Sequence, residues 1–182
     1  MKTNKITNFS IIICTLFILA GLSACNKSDG DIGDSAEKYL ICKLNGKEHR
    51  FNYHVNANDK PAEETIHFVV ISGWEEENTA TSPGFGIDLV LPEGAEEKTY
   101  SVAGGSTPEL DGQYYIQHAK DGKTWTTVYS GGRSTGTEFT LNITSLTDWG
   151  VKGTFSGKLR LSGGDEYITV TDGKFSAPYN GN

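Results

Sequence analysis

The stretch VKGTFSGKLRLSGGDEYITVTDGKF, residues 151 to 175, decides the fold class. Val151, Phe155, Leu159 and Leu161 share one parity, and Lys152, Thr154, Ser156, Lys158 and Arg160 share the other. A strand sends alternate side chains to opposite faces, so this run has one apolar face and one polar face. Gly163-Gly164 supplies a turn. Tyr167 to Thr171 then returns as a second strand ending at Asp172-Gly173, a bulge before Phe175 re-enters the sheet.

The same period recurs upstream. Phe139, Leu141 and Ile143 alternate, as do Trp125, Thr127 and Tyr129, Tyr114 and Ile116, and Phe85, Ile87, Leu89 and Leu91. Asp121-Gly122 is a turn between two of these runs. Asn45-Gly46 separates Tyr39–Leu44 from Lys47–Val55 as a pair that accepts positive φ at both positions, the requirement of a type I′ hairpin. Within Lys47–Val55, His49, Phe51, Tyr53 and Val55 share a face opposite Arg50, Asn52 and His54. Ile66 to Ile71 is apolar on both parities and reads as a strand covered on both sides. No segment after the amino-terminal region carries a helical period, although a short helical turn fits in 56–64 or 103–111. The expectation is a single all-β domain over 38–182, an antiparallel β-sandwich or barrel-like meander of about nine or ten strands.

The amino-terminal region is of another kind. Lys2 and Lys5 precede an apolar stretch, Ile11 to Leu22, and then the small residues Ser23 and Ala24 before Cys25. This is the layout of a secretory signal, and the apolar stretch falls well short of the roughly 20 residues a membrane-spanning helix needs. Leu22-Ser23-Ala24-Cys25 resembles the bacterial lipobox. The resemblance implies cleavage of residues 1–24 and lipid on Cys25, and two or three acyl chains hold a protein durably where one does so only marginally. Residues 25–37 then form an acidic flexible tether, whose polar length reaches on the order of 20 Å.

Three further resemblances point the same way. Asp29, Asp31 and Asp34 resemble the acidic signal that sends Bacteroidetes lipoproteins to the outer face of the outer membrane, and Asp34-Ser35-Ala36 resembles an O-glycan acceptor of that group. The segment 153–175 and Lys43-Leu-Asn-Gly-Lys47 resemble the closing and opening hairpins of a broad Bacteroidetes lipoprotein family of unknown function. That family implies an all-β fold and a surface address, with Gly153-Thr154 at a strand edge, and no activity.

Composition narrows the function classes. The chain has 182 residues, 16 Lys and Arg against 23 Asp and Glu, and a formal net charge of −7. Loss of Lys2 and Lys5 with the signal makes the remainder more acidic still, which disfavours binding driven by phosphate neutralisation; no nucleic-acid partner is expected. Of three cysteines, Cys14 leaves with the signal and Cys25 takes lipid, so Cys42 lacks a partner and reads as a buried, inert thiol.

Catalytic patterns are weak. Gly132-Arg133-Ser134-Thr135-Gly136 satisfies G-x-S-x-G, but a nucleophile elbow needs a helix after it, and strand residues follow at Phe139. His49, His54, His67 and His118 lack metal-ligand spacing, and Glu75-Glu76-Glu77 has no calcium-loop pattern around it. No enzyme activity, metal or cofactor is expected. Among the tryptophans, Trp125 shares parity with Thr127 and Tyr129 and reads as core, whereas Trp74 follows a strand end, opens a loop to Pro83-Gly84, and is the best candidate to stack on a sugar ring. Two functions stay open: a binding or accessory module for a glycan, peptide or small ligand, and a lipoprotein that works through protein contacts as a scaffold, inhibitor or immunity factor. A pocket with converging polar groups favours the first, and a filled interior favours the second.

Overall fold

The computed structural model describes residues 37–58, 67–91, 94–102 and 109–180, all within the unit Ala36–Asn182. Cys25, the tether aspartates and Ser35 lie outside the described residues, as does most of each segment read as room for a helical turn. Eleven strands and no helix occur among the described residues: β1 Tyr39–Leu44, β2 Lys47–Arg50, β3 Tyr53–Ala57, β4 His67–Trp74, β5 Gly84–Leu91, β6 Thr99–Ser101, β7 Glu109–Lys120, β8 Lys123–Gly132, β9 Phe139–Leu146, β10 Gly150–Leu161 and β11 Tyr167–Pro178. The chain is all-β.

Nine of these strands form one path in the order β2-β1-β11-β10-β8-β7-β5-β4-β3, every neighbouring pair antiparallel. The path curls into a half-barrel. Its two outermost strands, β2 and β3, are joined by only Phe51-Asn52, so the ends of the sheet meet where the chain passes from one to the other. The Phe51 N–H continues the β1 ladder by donating to Leu40 O at 2.8 Å, and Asn180 N–H reaches Ala57 O at 3.1 Å on the far side. β10 is long enough to serve two partners on one edge, β9 along residues 151–157 and β8 at Arg160 and Leu161, and β6 extends the branch beyond β9.

The inner face is filled by side chains of the expected parity. Phe155, 3% exposed, touches Phe85, Phe139 and Phe175 with ring centroids 5.1, 6.4 and 6.4 Å away, and Phe51 joins Phe85 at 5.6 Å. Leu40, Ile71, Ile87, Leu89, Leu141 and Leu159 close the gaps between the rings. Such a cluster excludes water by contact between aromatic and aliphatic surfaces from strands on both sides of the curl, which is where most of the folding free energy of a β domain arises.

Four expectations need correction. The run Lys47–Val55 is two strands; His54 adopts φ 51° within a register shift between Tyr53 and Asn56, which turns Tyr53 outward to 47% exposure. β11 does not end at Asp172-Gly173 but passes through it as the expected bulge, with Asp172 at φ 52°, and runs on to Pro178. Gly153 lies in the middle of the sheet between β9 and β11 rather than at an edge; a Cβ there would meet Asn142 O at 2.2 Å, so only glycine permits the close approach. Trp125 is 49% exposed, because β7 and β8 outrun their neighbours and their shared hairpin leaves the barrel.

Candidate functional site

β9, β10 and β11 present their polar parity outward, and the bulge at Asp172-Gly173 dishes this surface into a groove of about 530 Å³. Three strands supply its walls in register. Thr140 stands opposite Ser156, Asn142 opposite Thr154, and Thr154 opposite Lys174, with Thr171 and Asp172 at the bulge. β6 orders the near side: Ser101 Oγ and Thr140 Oγ1 lie 3.2 Å apart, and Thr99 Oγ1 donates to Asn142 Oδ1 at 3.0 Å. On the far side Lys43 Nζ pairs with Asp172 Oδ2 at 2.8 Å, and the carboxylate raises the exposed ammonium's pKa through that hydrogen bond. Lys174 lies over the Tyr39 ring, 5.9 Å from its centroid. Thr154, Ser156 and Thr171 line the groove beside Phe155 and Gly173. Hydroxyls both donate and accept, and threonine adds a methyl, so the lining matches a ligand of alternating hydroxyl and C–H surface.

Trp74 is the last residue of β4, opposite Gly84, and packs edge-on against Tyr115 at 4.9 Å on the outer face. It is half-buried, and the loop begins only after it. Gly84 makes the contact possible, since a Cβ there would stand 2.2 Å from the Tyr115 ring. On the same face Asp88 and Asp111 are direct cross-strand partners, and burial followed by the Asp111 charge raises the Asp88 carboxyl above its ordinary value. The Tyr115 phenol is pushed up to about 12 by burial and then by Asp88.

At one end of the interior, His49 Nδ1 and Glu75 Oε1 lie 2.5 Å apart, with His49 stacked on Phe51 and edge-on to Tyr114. Tyr129 donates to Glu166 Oε1 at 2.9 Å. Cys42 sits opposite His49 in the β1–β2 ladder and is 1% exposed; burial, and then the Glu75 carboxylate, push its thiol up to about 12. A thiol held neutral there is no nucleophile.

The remaining candidates are kept apart by topology. Ser134 lies in the turn between Gly132 and Gly136, and its Oγ donates to Asp111 Oδ1 at 2.7 Å; the next element is a strand, β9. His54 Nε2 lies 3.0 Å from Glu77 O, near the Glu75 that holds His49, and His118 Nε2 lies 3.0 Å from Thr127 Oγ1 on the β7–β8 hairpin. Glu75 Oε1 meets His49 Nδ1, whereas Glu76 N–H donates to Ser82 Oγ and Glu77 O faces His54 Nε2, both through the main chain. Among the described residues no group of three or more His, Cys, Asp or Glu could hold a metal ion.

Two features escaped sequence reasoning. The groove is assembled from strands whose polar residues look individually like solvated surface. The exposed Trp125 stacks on His118, centroids 5.0 Å apart and planes 9° from parallel, on the projecting hairpin. The lengths of β7 and β8, 12 and 10 residues against 8 in β5, are the signal that could have revealed the projection. Compared with protein-family models, curated proteins and solved structures, the chain matches none.

Proposed function

We propose that this chain is a lipid-anchored envelope lipoprotein, held through Cys25 on the outer membrane and facing the cell surface, and that it acts as a non-catalytic binding module. The groove is its ligand site, and a glycan or other hydroxyl-bearing small ligand is its cargo. One observation carries this reading: hydroxyl-bearing residues from three adjacent strands, with Asn142, Asp172 and Lys174, line one groove. The interior is filled by phenylalanine rings, so capture takes place on the outside of the half-barrel. That filled interior also favours the second reading, a lipoprotein acting through protein contacts as a scaffold, inhibitor or immunity factor.

The test is a glycan-array screen of the detergent-solubilised full chain, repeated with Thr154→Arg and Trp74→Ala. Thr154 is exposed, so arginine fills the groove without entering the core, and binding should fall at least tenfold. Loss of a stacking aromatic typically costs about 2 kcal/mol, roughly thirtyfold in affinity, so selective loss with Trp74→Ala moves the site to the Trp74–Tyr115 pair. Absence of glycan binding by the parent chain leaves the protein-contact reading ahead. Fatty-acid labelling of Cys25→Ser tests the anchor independently, and a labelled, membrane-bound serine variant refutes it.

A further inference from the structure

Among the described residues, two of the strand edges, those of β2 and β8, differ in character. β2 pairs only with β1 among the described residues, and its exposed residues are Lys47, Glu48 and Arg50. Charges of this kind protect an edge against pairing with another chain. The outer edge of β8 is different. β10 covers it only at Tyr129 and Ser130, and Ser162 N–H donates to Val128 O at 2.8 Å, after which Lys123 to Thr127 have no strand neighbour except β7 among the described residues. From Thr124 to Gly132 this strand has no charge and no proline, and it is rich in β-branched and aromatic residues. Among the described residues it is an unprotected edge.

We infer that this edge pairs with the same edge of a second copy of the chain, β8 against β8 in antiparallel register about a two-fold axis through Trp125. The register follows from the ladder. Main-chain groups of alternate residues point to the same side of a strand, and Val128 O already points away from β7, toward β10, so Thr126 and Thr124 turn their N–H and C=O groups to the open side. The open window is closed at one end by the Ser162 bond to Val128 and at the other by the Asp121-Gly122 turn, where φ is 51° and 73°. Trp125 is the middle residue of that window. Two such windows align fully only with Trp125 opposite its symmetry mate, so that Thr124 of each copy exchanges hydrogen bonds with Thr126 of the other. Lys123 then faces a threonine, Thr127, and no like charges oppose. The pairing is isologous and closes at two copies, as a two-fold interface must. It also covers the part of the Trp125 ring that the stacked His118 leaves exposed.

The edge is short, and the interface is smaller than the roughly 1,200–2,000 Å² of stable complexes, so cross-linking in a concentrated solution of the purified full chain is the suitable assay. Opposed residues at the two-fold position of an antiparallel pair lie about 4.5 Å apart at Cα, within disulfide range. Trp125→Cys should form a disulfide-linked dimer under mild oxidation, whereas Lys123→Cys, also exposed but facing Thr127 of the other copy, and the unsubstituted chain should not. Adding Thr126→Pro to Trp125→Cys removes one main-chain donor from the open edge and spares the main-chain ladder to β7, giving up there only the Thr126 Oγ1 bond to Gln117 Oε1, and should cut cross-linking about tenfold or more. Absence of the dimer from Trp125→Cys, an equal yield of dimer from Lys123→Cys, or indifference to the proline would overturn the inference. So would a Trp125→Cys chain that, oxidised in intact cells, cross-links to a different protein in place of a second copy.

Discussion

Phe155→Ala tests the core most directly. The ring is 3% exposed and is held by Phe85, Phe139 and Phe175, each from a different strand. Returning a large apolar side chain to water costs about 1.5–3 kcal/mol. The neighbours are pinned by their own ladders and by Gly173, whose added Cβ would stand 2.3 Å from Phe155 O, so the site collapses little. A residual cavity on the order of 50–100 Å³ at about 24 cal/mol per Å³ adds about 1–2 kcal/mol. The expected loss is therefore about 3–5 kcal/mol, a large part of the roughly 5–15 kcal/mol that holds a domain together. In urea, with a slope of about 2 kcal/mol per molar, the midpoint should fall by roughly 1.5–2.5 M. Lys158→Ala, three residues on and facing outward, removes an ammonium 4.3 Å above the exposed Tyr167 ring and should cost about 0.5–1 kcal/mol. A Phe155→Ala loss below about 1 kcal/mol, or no larger than that of Lys158→Ala, would refute the assigned inner face.

Two further outcomes follow from titratable groups. Asp88 holds its proton more tightly in the folded chain than in the unfolded one, so its contribution to stability is lost as pH rises from the ordinary carboxylate value through the raised one. Asp88→Asn should stabilise the domain at neutral pH by about 0.2–1 kcal/mol, the cost of like charges directly opposite across a ladder, and thermal melts should show the gain vanish in acid. A gain independent of pH would refute this. Cys42, with its thiol pushed up to about 12 against an ordinary value of 9.0, should resist alkylation in the native chain at about pH 8 and react once denaturant is added, as peptide mass mapping would show. Rapid native alkylation would mean that the end of the barrel opens.

Legibility in the sequence followed the range of the physics involved. Asn45-Gly46 and Asp121-Gly122 were readable because positive φ is demanded within the turn itself, and both pairs adopt it. The inner residues of β5, β9 and β10 were readable because alternation reports a face. It does not report what stands across from that face, which is why Trp125 has the parity of core and the exposure of surface. Nor does alternation say where a strand changes partner. From His49 to Val55 the parity runs on, but the main chain leaves β1 at Phe51 and joins β4 at Tyr53. Trp74 reads as the first residue of a loop because glycine precedes it, yet it is still paired with Gly84. The groove depends on a bulge and on strands well separated along the chain, a juxtaposition no local window contains.

β11 lies between β1 and β10, so the last of the described strands is flanked by the first of them and by its neighbour in the chain. Until β11 arrives, β1 has only the short β2 beside it, and Phe175 and Val170 are missing from the interior. Such long-range closure folds slowly, because the loop entropy is lost before the contacts that compensate for it can form. A chain delivered amino end first therefore stays open until its closing strand emerges. Early termination leaves an uncompleted sheet rather than a smaller domain, and the time spent unfolded is set by the order of the strands.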